Sequence, residues 1–187
     1  MKKTATAKKG SKGKKSTKRR VTTKAKKTPK AKAAPKAMTI SSPAFQHNGN
    51  IPAKYTCDGE NINPPLAFDG VPSDAESLAL IMEDRDVPHT VRENGVWDHW
   101  ILFNMNPKSP GIREGEEPGG NRGVGSGGHM NYEGPCPCDR EHRYFFKLYA
   151  LDKKLDLPVE CSKYEVLHAM EGHLLAYAEL VGKYERV

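Results

Sequence analysis

Short apolar runs separated by long polar stretches dominate the chain, and no extended helical period appears. Residues 78–82, Leu-Ala-Leu-Ile-Met, form a continuous apolar run between the polar segments 72–76 and 83–88. Its length and lack of alternation predict a central strand buried on both faces. Residues 96–105 begin Val-Trp-Asp-His-Trp and continue Ile-Leu-Phe-Asn-Met. A period of two predicts a second strand with His99, Ile101, Phe103 and Met105 on one face. Residues 144–151 are aromatic and aliphatic and too short for a typical helix, which predicts a third buried strand. His142 and Tyr144 have the spacing of neighbours on one face of it.

The remaining elements are weaker. Ser162, with Glu165 three residues on, predicts a capped helix whose apolar stripe is Tyr164, Leu167 and Met170. Gly172 ends it, and residues 173–181 then read as a closing strand. Residues 51–56 read as a short edge segment. Residues 57–61 are a turn cluster in which Gly59 is available for a positive φ. Phe45 is the anchor of an otherwise polar entry segment. Residues 108–131 hold eight glycines and predict one long loop, a form often functional in compact domains. The tally is a mainly β, sandwich-type domain with one or two short helices.

Charge divides the chain. Residues 1–36 contain fourteen Lys, two Arg and no acid, whereas residues 37–187 contain fourteen basic and twenty-three acidic side chains. The net charge of +7 therefore averages a strongly basic tail and an acidic body. The tail has no aromatic residue and Val21 as its one β-branched apolar residue. It cannot bury enough surface to offset the entropy of ordering. We expect a disordered tail over residues 1–37 and a folded domain over residues 38–187. Such a tail either solubilises or binds nucleic acid and other polyanions without sequence preference. No apolar stretch is long enough to span a membrane, and no secretory or transit pattern is seen. The expected location is cytoplasmic.

Four cysteines are present: Cys57, Cys136, Cys138 and Cys161. In a chain that does not look secreted, free thiols are the default expectation. A bond from Cys57 to Cys136 or Cys138 is the alternative. The Cys-Pro-Cys spacing matches neither a redox nor a zinc motif. The glycine-rich run at 123–128 lacks the Lys-Ser/Thr of a phosphate loop. No Gly-x-Ser-x-Gly elbow is present. His99, His142 and an Asp are a legitimate zinc set, but nothing in the sequence fixes their distances. No metal and no cofactor is expected.

Three segments, in order, carry a family resemblance: Asp84 with Asp86, the Trp97-Asp98-His99-Trp100 run, and residues 134–144 with Gly134, Pro135, His142 and Tyr144. Together they resemble the bacterial and archaeal, Raf kinase inhibitor-like branch of the phosphatidylethanolamine-binding proteins, and the likeness extends over nearly all of residues 40–187. It implies an antiparallel β-sandwich with a small pocket at one end, lined by Asp84, Asp86, His99, Pro135, His142 and Tyr144. It implies a non-catalytic module for a small phosphorylated or carboxylated ligand, or a regulator that engages a protein partner through the same surface. Among its departures from the family, one bears on the pocket. The segment Cys138-Asp139-Arg140-Glu141 is shorter than the usual insert and is charged, which puts the pocket rim, and so the ligand, in question.

Overall fold

The structure, a computed structural model, describes Met1 and residues 37–186. The readings made for the basic tail lie outside those residues. The described chain forms two sheets. The larger is built from β2 (Gly49–Asn50), β4 (Ser77–Asp84), β5 (Trp97–Met105), β7 (Asn121–Arg122), β8 (His142–Leu151) and β9 (Leu174–Tyr184). Its order is β2-β9-β8-β4-β5-β7. The smaller has the order β1-β3-β6, from Thr39–Ser41, Leu66–Asp69 and Gly111–Ile112. One helix, α1 (Lys163–Met170), precedes β9. The main pairings, β4 with β5 and with β8, and β8 with β9, are antiparallel. The β-sandwich expectation holds. The predicted glycine-rich loop contains two short strands, β6 and β7.

Every residue of β4 is buried, as a strand covered on both faces must be. Leu78, Leu80 and Met82 join Phe146, Leu148 and Ala150 of β8 and Ile40, Leu66, Phe68 and Ile112 of the small sheet in one core. Ala79 and Ile81 point the other way. They pack with Ile101, Phe103 and Leu151 under Val166 and Met170 of α1. Burying each such aliphatic side chain contributes roughly 1.5–3 kcal/mol. The helix starts as the sequence predicts: Ser162 and Glu165 form a reciprocal capping box, and Gly172 follows the helix end at φ 77°. Its apolar stripe differs. Val166 and Met170 are buried, whereas Tyr164 is 75% and Leu167 37% exposed. Tyr164 instead stacks on the His168 ring.

The face expected for β5 also differs, and the reason is two bulges. The pairing of β5 with β4 shifts between Leu78 and Leu80 and again between Met82 and Glu83. Each shift inserts one extra residue on β5 and turns the following side chains to the opposite face. Asn104 sits at φ 56° in the first bulge. Met105 therefore joins the core facing the small sheet, while Ile101 and Phe103 lie under the helix. The second bulge spans Asp98 to Trp100. It turns His99 towards Tyr144, whose ring it meets edge-on at 5.3 Å, and away from Ile101.

Residues 51–56 do not form an edge strand. Ala53–Tyr55 is a single 3-10 turn after Pro52. The positive φ in the next turn belongs to Asn61 (φ 56°), not Gly59. Gly59 is needed for closeness instead: an added Cβ would lie 2.2 Å from the Ala53 carbonyl oxygen. This turn carries Cys57, which is bonded to Cys136. The free-thiol expectation is thus overturned for this pair, and Cys138 and Cys161 are the free cysteines among the described residues. The pair forms because the loops already touch. Cys57 N–H donates to the Pro135 carbonyl (3.1 Å), Gly134 N–H to Asn61 Oδ1 (2.8 Å), and Tyr132 Oη to the Tyr55 carbonyl (2.8 Å).

The disulfide closes a loop with a sequence separation of 79, so it removes much entropy from the unfolded chain. Both cysteines are exposed and open to a reductant. Reduction with a dithiol is expected to lower the unfolding free energy by about 2–4 kcal/mol. Denaturant unfolding with and without reductant measures this; an unchanged midpoint would contradict it.

Candidate functional site

Three strand ends converge at one edge of the large sheet. Asp84 pairs with Trp97 of β5 on one side and with Tyr144 of β8 on the other. The polar residues that the sequence places at the end of one strand and the start of two others therefore meet. Asp84 and His142 are both buried, and His142 Nδ1–H donates to Asp84 Oδ2 over 2.6 Å. The other Asp84 oxygen accepts from the Asp86 N–H at 2.8 Å. His142 Nε2 lies 2.7 Å from Asp139 Oδ1. His142 is thus gripped by a carboxylate at each ring nitrogen. A carboxylate only accepts, so with both acids ionised each nitrogen carries a proton.

His99 is held differently. Its Nδ1 is 2.8 Å from the Glu133 carbonyl oxygen. A carbonyl cannot donate, so Nδ1 carries the hydrogen. The exchange is reciprocal, because Glu133 N–H donates to the His99 carbonyl at 3.2 Å. Trp97 Nε1–H reaches the Glu133 carboxylate at 3.2 Å. Burial of the ring lowers the His99 pKa below its ordinary 6.5, against the Glu133 carbonyl and the nearby acids, which raise it. The result is a neutral ring whose Nε2 keeps its lone pair.

Asp84, His99 and His142, with Val87, Val91, Trp97, Glu133, Cys136 and Cys138, line a cavity of about 260 Å³. Its size is below the roughly 300–1,000 Å³ of drug-sized sites, so it suits a ligand of few heavy atoms. The Tyr144 ring lies beside His99. Its hydroxyl is fully buried with no partner of hydrogen-bond geometry, although the Cys136 backbone N–H is near enough to act on it electrostatically. Burial first, and Asp84 second, push its pKa well up, so it remains a donor. A larger, open groove of about 770 Å³ runs along residues 104–112 and 116–120. None of its titratable side chains is buried, and it has no comparable chemistry.

The other two residues named from the sequence stand behind the cavity wall. Asp86 is held by Arg143 through the backbone N–H (2.9 Å) and a two-pronged guanidinium contact, Nε and Nη2 each at 2.8 Å. That contact holds its carboxyl below the usual range. Asp86 thereby fixes the start of β8. Pro135 is buried, and its carbonyl accepts from Cys57. It keeps the loop that carries Glu133 and Cys136 against the turn at Cys57. Sequence reasoning missed Glu133, Asp139 and the apolar wall of Val87 and Val91. Glu133 lies between Tyr132 and Gly134, which the pattern does mark. The one signal for Asp139 was the charged, shortened segment that holds it.

The His99 environment has a measurable pH consequence. Its folded pKa is depressed, so the folded chain binds this proton less tightly than the unfolded chain does. The associated stability is fully present above pH 6.5 and is lost as pH falls below that value towards the folded pKa. Long-range nitrogen–proton NMR of the ring should show a titration midpoint under 6.5 and the Nδ1–H form above it. A midpoint at or above 6.5, or the Nε2–H form, would contradict the geometry.

The family model described as phosphatidylethanolamine-binding protein matches residues 41–185. A UPF0098 protein of Methanothermobacter thermautotrophicus is 50% identical over 155 residues, covering 80% of this chain and 99% of the relative. One from Chlamydia muridarum is 48% identical over 149 residues, with the same coverage of each. A crystal structure of a phosphatidylethanolamine-binding protein homolog from Chlamydia trachomatis is 46% identical and superposes with a TM-score of 0.79, covering 81% of this chain and 99% of its own. Escherichia coli YbcL, described as a member of the mammalian family, is 24% identical with a TM-score of 0.73 over 81% of this chain and all of its own, and shares the fold. This chain belongs to the phosphatidylethanolamine-binding protein family.

Proposed function

We propose that the cavity between β4, β5 and β8 is a non-catalytic binding site for a small phosphorylated or carboxylated ligand. The observation that carries this reading is the pairing of a cavity of about 260 Å³ with two incompletely used polar groups, His99 Nε2 beside it and the buried Tyr144 hydroxyl behind it. His99 lines the cavity, so its Nε2 is the one of the two that a bound polar ligand can meet. The chemistry divides in two. His99 Nε2 accepts a hydrogen from a protonated phosphate or carboxyl oxygen, or from an amino group. His142, held between its two acids, is the donor placed to meet the anionic oxygens. Val87, Val91 and the Trp97 ring cover the ligand's apolar part. Asp84 orients His142 and is not itself directed at an anion.

A binding role fits the side chains better than catalysis does. Asp84 uses both its oxygens within the protein, and His142 both its nitrogens, so neither stands as a free general base; His99 Nε2, which keeps its lone pair, is read here as an acceptor for the ligand. Among the described residues no three His, Cys, Asp or Glu side chains are arranged to hold a metal ion. A zwitterionic headgroup such as phosphoethanolamine offers both a donor and an anion, in keeping with the family's name. Affinity for a lone headgroup should be modest, because few atoms are buried.

A chemical-shift titration of the full chain with phosphate, acetate and phosphoethanolamine tests the site. Saturable shifts should cluster on Val87, Val91, His99, Glu133 and His142, and His99→Ala should abolish them. Because the basic tail also attracts anions, the location of the shifts is the readout. Shifts confined to the tail, or unchanged by His99→Ala, would contradict the reading.

A further inference from the structure

Asp139 stands out among the residues at the cavity. It lies on the short charged segment at the rim, directly after the cavity-lining Cys138. Its Oδ1 engages Nε2 of His142, the one ring atom that Asp84 leaves available. The two partners differ in how firmly they are held. Asp84 is buried within the sheet and braced by the Asp86 N–H. The Asp139 side chain is 41% exposed, and beyond His142 its recorded tie is to the exposed Arg140 guanidinium at 2.8 Å. One carboxylate is therefore part of the scaffold, and the other sits on a surface loop where an exchangeable anion would bind.

We propose that Asp139 is a built-in occupant of the anion position on His142, so that an incoming phosphate or carboxylate binds by exchanging with it. This rests on the reading of the cavity as a ligand site. Three features support it. The contact has the length and partners of a charge-assisted bond between imidazolium and carboxylate, which a ligand oxygen would reproduce. His142 holds the Asp139 carboxyl below the usual range, and Arg140 adds to this, so the side chain is an anion at neutral pH. Arg140, released by the swing of Asp139, can follow it or engage the arriving anion. No covalent bond is made or broken in the exchange: the arriving anion takes the place of the Asp139 carboxylate on the same N–H. The segment thus sets specificity: it disfavours weak anions that cannot displace an internal carboxylate, and it keeps His142 Nε2 partnered while the site is empty.

The test uses the full chain and inorganic phosphate, followed by the shifts of the His142 ring and of residues 138–142. Asp139→Ala removes the occupant, and Asp139→Asn removes its charge while keeping its shape. Both are expected to bind phosphate about tenfold more tightly than the parent, the scale of one charge-assisted hydrogen bond. Glu141→Gln is the control. It removes a charge of the same sign from the same segment, but Glu141 contacts Lys183 and not His142. It should change affinity less than about twofold, the scale of an exposed pair. Equal phosphate affinity in the parent and both Asp139 variants, with shifts still at the cavity, overturns the inference and leaves the binding site standing. A gain in Glu141→Gln as large as in Asp139→Ala overturns it in favour of general electrostatics. No cavity shifts in any of the proteins overturns both the inference and the site.

Discussion

The hydrogen bond between Asp84 and His142, both buried, ties the end of one central strand to the start of its neighbour. A carboxylate taken into a low-dielectric interior is tolerated only with partners at its oxygens. Asp84 meets that condition twice, through His142 and through the Asp86 N–H. The arrangement fixes the His142 ring and leaves one nitrogen for chemistry. It also needs the β4 to β8 pairing to hold Asp84 opposite Tyr144. A slip of one residue would carry the polar end of β4 to the opposite face of the sheet.

Two further constraints act on the same edge. The bulge at Asp98–Trp100 turns His99 onto the face shared by Asp84 and Tyr144. The loop holding Glu133 must then lie where its carbonyl can accept from His99. Three contacts and the Cys57–Cys136 bond hold it there, at the cavity wall. The loop so held supplies the carbonyl that sets the tautomer of a buried histidine. On the other face of the large sheet lies a separate ionic group. Glu83 is buried between Lys147 and Lys163. Although burial alone would raise its pKa, these two cations bring it down to about 2. Lys163 also contacts Asp98, so this group fastens the start of α1 to the sheet. One charged cluster locks the helix while the other presents its histidines to the cavity.

Much of this was legible in the sequence because it rests on local pattern. The unbroken run at 78–82 announced the central strand, and Ser162 with Glu165 announced the helix start. The strand ends that carry Asp84, His99 and His142 were also legible, and their meeting was implied by the family resemblance rather than by local pattern. What escaped reading was whatever depends on a partner far along the chain. A period of two cannot show bulges, so Met105 and His99 were assigned the face of Ile101 and Phe103. The helix stripe was chosen by spacing, but α1 docks through Val166 and Met170 because the second core lies on that side. Cys57 and Cys136 are paired by loops that meet only in the fold. Asp86 carries the family pattern, yet Arg143 claims it. Asp139 carries no pattern and holds His142.

The account stands on His142 being gripped by two carboxylates at once, and its ring nitrogens report this directly. Nitrogen-15 NMR of the full chain at neutral pH, without added ligand, should show two protonated ring nitrogens on His142, each with a hydrogen-bonded proton shifted far downfield. Asp139→Ala should move the Nε2 proton signal out of this strongly hydrogen-bonded range and leave the one on Nδ1 in it. A parent protein whose His142 ring carries a single proton, or in which Asp139→Ala leaves both signals in place, would contradict the account.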